Sequence, residues 1–152
     1  MERLQRFLQG SVHGKLVSFR EGRAPHVVMV RFYRRPSDPS LYIRTLRHSV
    51  KVRNIRRYPQ VTLIVDQVDQ ETAPEPGFIR IESAIIEGEC EVIESIADLP
   101  EDLFALLFSE VATTPDSPQA AQLKASRVVL KITPQRVRYQ RGKIREEIEE
   151  KQ

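Results

Sequence analysis

Residues 44–54, Arg44-Thr45-Leu46-Arg47-His48-Ser49-Val50-Lys51-Val52-Arg53-Asn54, hold the densest set of side chains able to do chemistry. The pattern reads as a strand ending in Thr45, a short turn, and a helix opened by Ser49. The first N–H groups of a helix lack an intrahelical acceptor, and the helix dipole is positive there. Around such an end, the hydroxyls of Thr45 and Ser49, the Lys51 ammonium and nearby arginines form a cradle suited to phosphate. From the residues alone, an ordinary capped surface helix with solvated bases is the alternative. Arg56 and Arg57 lie further along the helix and are expected to face solvent or pair with acids.

Other reactive side chains point to less. His13, His26 and His48 do not have metal-ligand spacing, and there is no HExxH-type pattern, so no metal site is expected. His26 reads as a hydrogen-bonded strand residue. His48, beside the cradle, reads as turn structure, or as a further cation for an anion when protonated. Glu87, Glu89 and Glu91 alternate and share one strand face, a spacing that does not define a glycosidase pair. Cys90 then points the other way, as a small buried side chain. No serine lies in a G-x-S-x-G turn, and no catalytic residue is assigned.

The elements that must position these groups follow from periodicity and turn residues. Residues 2–9 place Leu4, Phe7 and Leu8 at helical spacing, ended by Gly10. Strands are expected at Val12–Arg20, Pro25–Arg34 and Leu41–Leu46, with turns at Glu21-Gly22 and Pro36-Ser37-Asp38-Pro39. A helix over Val50–Arg57 is stopped by Tyr58-Pro59. Val61–Asp66, almost wholly apolar, reads as a strand buried on both sides. A polar loop spans Gln67–Gly77, and Phe78–Glu94 is a long strand able to bend at Ser83 or Gly88. An amphipathic helix follows at Leu99–Ala112, then a loop at Thr113–Gln119. The last strand is Arg127–Tyr139, with Pro134 as a potential break. The charged tail from Arg141 is either a terminal helix or frayed. Six or seven strands joined by tight turns and short helices predict a mostly β fold: an antiparallel barrel with peripheral helices.

Composition bounds the class. The chain has 152 residues, 40% hydrophobic and 30% charged, which fits one soluble globular domain and excludes a disordered chain. A net charge of +3 conceals a sharp asymmetry. Residues 1–60 carry 14 bases and three acids, a net of +11, whereas residues 61–152 carry a net of −8. That split suggests an anion held by the first half. Arginine outnumbers lysine 18 to 6, as bidentate anion recognition or ion-pair networks would require. The single cysteine excludes a disulfide framework. No apolar run reaches membrane-span length, and the amino terminus has no signal-peptide pattern, so a cytoplasmic protein is expected.

Five segments carry a family resemblance. They are Leu16–His26 with its Glu-Gly turn, the strand Val27–Phe32, Leu41–Thr45, the block Ser49–Val61, and Ile86-Glu87-Gly88-Glu89-Cys90-Glu91-Val92. In this order the sequence resembles the pyridoxamine-phosphate-oxidase-like, FMN-binding split-barrel superfamily, which includes enzymes using the deazaflavin coenzyme. The resemblance spans nearly the whole chain, and Ser49–Val61 is its most specific part. It implies a six- to seven-stranded antiparallel split β-barrel over residues 1–140, a charged tail over 141–152, and a homodimer with the cofactor between subunits. It implies that Ser49 and Lys51 hold the FMN phosphate and that Thr45 lines the same pocket. Val30 and Arg31 match positions beside the ring and ribityl chain, and Arg44 and Leu46 flank that groove. The carboxy-terminal segment does not match that of the oxidase proper, so the expectation is a flavin-dependent oxidoreductase of unspecified substrate. Three alternatives remain. They are a deazaflavin-dependent reductase, a flavin or haem carrier without turnover, and a basic nucleic-acid-binding barrel using Phe32, Tyr33 and Tyr42.

Overall fold

The computed structural model describes residues 2–68, 76–109 and 116–145. Helix α1 (Glu2–Gly10) leads into β1 (His13–Phe19), and a 3-10 turn at Glu21–Arg23 reverses the chain into β2 (Pro25–Arg31). Gly22 (φ 79°) makes that reversal possible, because its left-handed conformation costs a residue without Cβ little. Next come β3 (Leu41–Leu46), α2 (Val50–Arg57), β4 (Gln60–Val68) and β5 (Phe78–Ile93). After β5 the described elements are α3 (Glu101–Leu107), α4 (Pro118–Ser126) and β6 (Arg127–Arg145).

All six strands join one antiparallel sheet in the order β2-β1-β4-β5-β6-β3. The sheet curls until its two edges meet at one bridge, where Tyr33 N donates to Tyr42 O (2.8 Å) and Tyr42 N donates to Tyr33 O (2.9 Å). Closure at a single residue pair makes this a six-stranded split β-barrel. Its interior is filled by alternate residues of every strand, among them Leu16, Val30, Ile43, Leu63, Ile86 and Leu130. Leu4, Phe7 and Leu8 of α1 plug one part of this core, and Val52 and Ile55 of α2 another. A second cluster lies on the opposite side of β3 and β6, where Leu103, Leu107 and Phe108 pack with Tyr42, Val129 and Ala120. Helices α3 and α4 therefore bury the outer side of β3, which explains a strand covered on both faces.

Several expectations changed. Val61–Asp66 is not buried on both sides: Val61, Leu63 and Val65 are in the core, but Thr62 and Ile64 are only partly covered. Helix α4 had no sequence assignment, because only Ala120 of its residues is fully buried and its apolar pattern is weak. A signal was present in Ser117-Pro118, since Ser117 Oγ accepts from Ala120 N (3.1 Å) and proline occupies the first turn. The expected helix 99–112 is shorter, running from Glu101 to Leu107, where Phe108 leaves helical geometry (φ −128°, ψ 46°); residues 110–112 lie outside the described residues. Residues 69–75 of the expected loop 67–77 and 113–115 of the expected loop 113–119 lie outside them too, as does the chain beyond Arg145; Gln67 and Val68 instead continue β4 by pairing with β5, and Pro118 and Gln119 open α4.

Residues 141–145 are strand rather than helix or frayed end, because Phe78–Glu82 offers them a pairing edge. The expected irregularity near Gly88 and Pro134 is a bulge: Glu87 pairs with Arg136 and Gly88 with Pro134, leaving Gln135 extra.

Candidate anion-binding site

Site geometry begins with how α2 is held. Asn54 Nδ2 donates to Ser18 Oγ (3.0 Å), and both residues are buried between α2 and β1. Val52 and Ile55 enter the core on the same helix, so its first turn is fixed against the barrel. The turn before it is tight, with Ser49 N donating to Leu46 O (3.1 Å) and Arg53 N to Ser49 O (3.2 Å).

Ser49 occupies the N-cap position with extended backbone (φ −70°, ψ 156°), yet its hydroxyl makes no capping hydrogen bond. Its Oγ is instead buried with no hydrogen-bond partner. The expected side-chain cap is absent, and the hydroxyl is left to answer something else. Lys51, the second residue of α2, is partly buried and meets no carboxylate among the described residues; burial holds its ammonium below the ordinary lysine pKa. Thr45 is buried at the end of β3, opposite Val128. A buried hydroxyl without a partner and a partly desolvated cation at a helix start fit an oxyanion such as a phosphate.

Sequence reasoning missed the contribution of His26. It lies in β2 opposite Ser18, on the face that carries Val28 and Val30, and its Nδ1 is buried without a partner. It is thus not the hydrogen-bonded strand residue expected at that atom. Burial, then Arg20 and Lys51, push its pKa below the usual histidine value, which keeps it neutral at pH 7. The period-two alternation His26-Val28-Val30 was the signal for an inward position.

The remaining candidates lie elsewhere. Val30 is a core residue, so only its main chain is available to a ligand. Arg31 points outward, with its guanidinium 5.0 Å from the Tyr33 ring centre. Arg44 and Leu46 alternate with Thr45 and occupy the other side of β3. Arg44 Nη1 donates to Leu107 O (2.9 Å), and its guanidinium lies over Phe108 (5.7 Å). Leu46 is exposed and shares a cavity of about 270 Å³ with Arg44, Thr45, Leu123 and Arg127.

Six of the fourteen bases of the first half, Arg6, Lys15, Arg35, Arg47, Arg56 and Arg57, meet a carboxylate among the described residues. Arg47 (2.8 Å) and Arg56 (2.8 Å) share Glu94, and Arg57 meets Glu21 (3.0 Å), so the expectation that Arg56 and Arg57 pair with acids holds. His48 is exposed, Cys90 is buried, and burial pushes the Cys90 thiol up to about 12. Among the described residues no three His, Cys, Asp or Glu side chains gather to hold a metal, and no helix is long and apolar enough to cross a membrane.

This architecture agrees with comparisons to known proteins. The family profile described as pyridoxamine 5'-phosphate oxidase matches residues 1–141. The chain belongs to the pyridoxamine 5'-phosphate oxidase family. No curated protein sequence matches it. Solved structures of similar fold include an FAD-binding protein from Mesorhizobium loti, 21% identical, with a TM-score of 0.65 over 93% of this chain and 90% of that one. An F420 reductase is 21% identical with a TM-score of 0.60, covering 88% of this chain and 94% of the other. HutZ, the heme storage protein from Vibrio cholerae, is 12% identical with a TM-score of 0.60 over 95% and 91% of the two chains. At these identities the likeness is one of fold, and the family member described here must be read from its own residues.

Proposed function

We propose that the protein binds FMN, with the cofactor phosphate held at Ser49, Lys51 and Thr45, and acts as a flavin-dependent oxidoreductase. The observation carrying this reading is the buried, partnerless Ser49 Oγ beside Lys51, which meets no carboxylate among the described residues. Phosphate would accept from the hydroxyl, the ammonium and the free N–H groups of the first turn of α2. His26 borders this site as a neutral imidazole. In this reading the main chain of Val30 and Arg31, on the sheet-edge strand β2, would run beside the ring. Bound flavin would supply the redox step, accepting and returning electrons or hydride, while these residues hold and orient it. The family membership and the FAD-binding and F420-reductase relatives of like fold support a flavin-type cofactor.

A homodimer belongs to the same proposal. The outward face of β2, β1, β4 and β5 carries exposed apolar side chains, Val27 (56% exposed) and Met29 (65%), with the partly covered Val17, Ile64 and Ile85, around the Lys15–Asp66 ion pair. Such a patch on one sheet face is what a second copy would cover. A cytoplasmic location is part of this reading, consistent with a lone free thiol.

The deazaflavin coenzyme is the second reading, favoured by the likeness to an F420 reductase, because it too carries a phosphate that the cradle would accept. An absorbance spectrum of freshly purified protein, followed by titration with each coenzyme, separates the two. The expected result is a flavin spectrum, or a thermal shift on adding FMN equivalent to roughly 2.7 kcal/mol at 100 times its dissociation constant. A colourless protein whose melting temperature responds to neither coenzyme overturns both readings.

A further inference from the structure

A groove of about 1000 Å³ lies between α1, the segment 31–39 and α3, away from Ser49 and Lys51. Its walls are mixed. Val12 and Leu106 give it exposed apolar surface, and four arginines, Arg31, Arg34, Arg35 and Arg44, border it against one carboxylate among the described residues, Asp38.

Two of those arginines are already committed. Arg35 binds Asp38 (2.9 Å) and Asp102 (3.5 Å), and Arg44 is tied to the Leu107 carbonyl. Arg31 and Arg34 meet no carboxylate among the described residues. Arg34 Nη2 donates to Gln5 Oε1 on α1, which fixes the side chain, but its Nε is buried with no hydrogen-bond partner. A buried donor left unanswered is costly, and an arriving acceptor relieves that cost. Desolvation holds the Arg34 guanidinium below its ordinary pKa, the direction expected of a charge that lacks a counter-ion. Arg31 is steadied over the Tyr33 ring at 5.0 Å, which presents its fork to the same groove.

A planar fork of donors matches a carboxylate or a phosphate, and the volume is that of a pocket for a small organic molecule. We propose that this groove binds an organic acid, an oxyanion on a flat apolar body, with the anion at Arg34 and Arg31 and the body against the exposed Val12 and Leu106. The site shares no side chain with Ser49, Thr45 or Lys51, and of its two anion-holding residues only Arg31 also enters the cofactor reading, through its main chain, so Arg34 is the residue that tests the groove apart from the cradle.

Calorimetric titration of the full chain with 2-naphthoate, 2-naphthyl phosphate and the uncharged 2-naphthamide tests it. We expect saturable binding of an anionic probe at one site per chain, with the amide weaker by about ten-fold or more. The two anions distinguish a carboxylate site from a phosphate site. Arg34→Gln weakens the anion by about ten-fold or more, whereas Lys51→Met leaves it within about two-fold, as expected for separated sites. Should Arg34→Gln fail to fold, Arg31→Gln, at an exposed side chain, is measured in its place with the same expectation. Amide binding as tight as that of the anions, an anion affinity indifferent to these arginine substitutions, or loss of binding in Lys51→Met would each overturn the proposal. So would no binding of either anion.

Discussion

Lys51 illustrates how one side chain acquires a purpose from its surroundings. In α2 it is partly buried without a carboxylate, so its charge is poorly compensated in the free protein. An arriving phosphate relieves that penalty, and charged hydrogen bonds of this kind contribute about 1.5–3 kcal/mol. Replacing Lys51 with Met is therefore expected to weaken FMN binding by about ten- to a hundred-fold while leaving the melting temperature of the free protein nearly unchanged. Fluorescence titration and a thermal scan check the two halves of that statement. Asp38 shows the opposite situation, a charge fully answered by its neighbours. Burial opposes its ionisation, yet Tyr42 Oη (2.6 Å), Ser40 N (2.9 Å) and Arg35 Nε (3.0 Å) all donate to it, and its pKa falls to about 2. A depressed carboxylate pKa stabilises the fold above the unfolded value near 4, and that contribution is lost as pH falls toward about 2. Asp38→Asn is accordingly expected to be less stable by about 1–3 kcal/mol at pH 7. The gap should narrow between about pH 4 and 2, as read by urea unfolding at each pH.

At the scale of elements, the barrel depends on how β5 and β6 run together from Phe78 to Ile93 and from Arg127 to Arg145. Gly88 permits their closest approach, since a Cβ there would lie 2.4 Å from Thr133 O. That atom is backbone and cannot rotate aside, so Gly88→Ala should cost about 2 kcal/mol or more, measured as a lowered urea midpoint with unchanged slope. Elements with strong local signals were legible in the sequence. Val50–Arg57 became a helix at the predicted residues because Val52 and Ile55 share one face and Tyr58-Pro59 ends it. The strands β1 to β3 follow alternation and turn residues in the same way. Residues 141–145 were not legible, because their strand state comes from pairing with Phe78–Glu82, far away in sequence. Helix α4 was missed for a related reason: its burial rests mainly on Ala120 against the second cluster, and a single alanine makes no periodic pattern.

For the whole molecule, charge and apolar surface are distributed to different ends. Much of the excess of bases in the first half is spent on ion pairs, several with acids from the second half such as Glu94, Asp66 and Asp102. The outer face of β2, β1, β4 and β5 leaves Val27 and Met29 exposed beside the Lys15–Asp66 pair, although the Val61–Asp66 run has the composition of a strand covered on both sides. A second copy would resolve that mismatch. Light scattering of the wild-type chain should report a dimer, and Met29→Glu, placing a charge at the centre of the patch, should yield a monomer at the same concentration. A wild-type monomer would remove the dimer from the proposal. The sequence by itself determined the strands, the short helix after Thr45 and the identity of Ser49 and Lys51, because hydrogen-bond periodicity and turn chemistry are local. Only the tertiary structure decided that the Ser49 hydroxyl has no partner, that His26 faces inward within reach of the Lys51 charge, and that Arg34 is buried at Nε while Arg56 is neutralised. Those properties depend on which distant side chains share the space, and pairing and burial are settled by packing rather than by spacing along the chain.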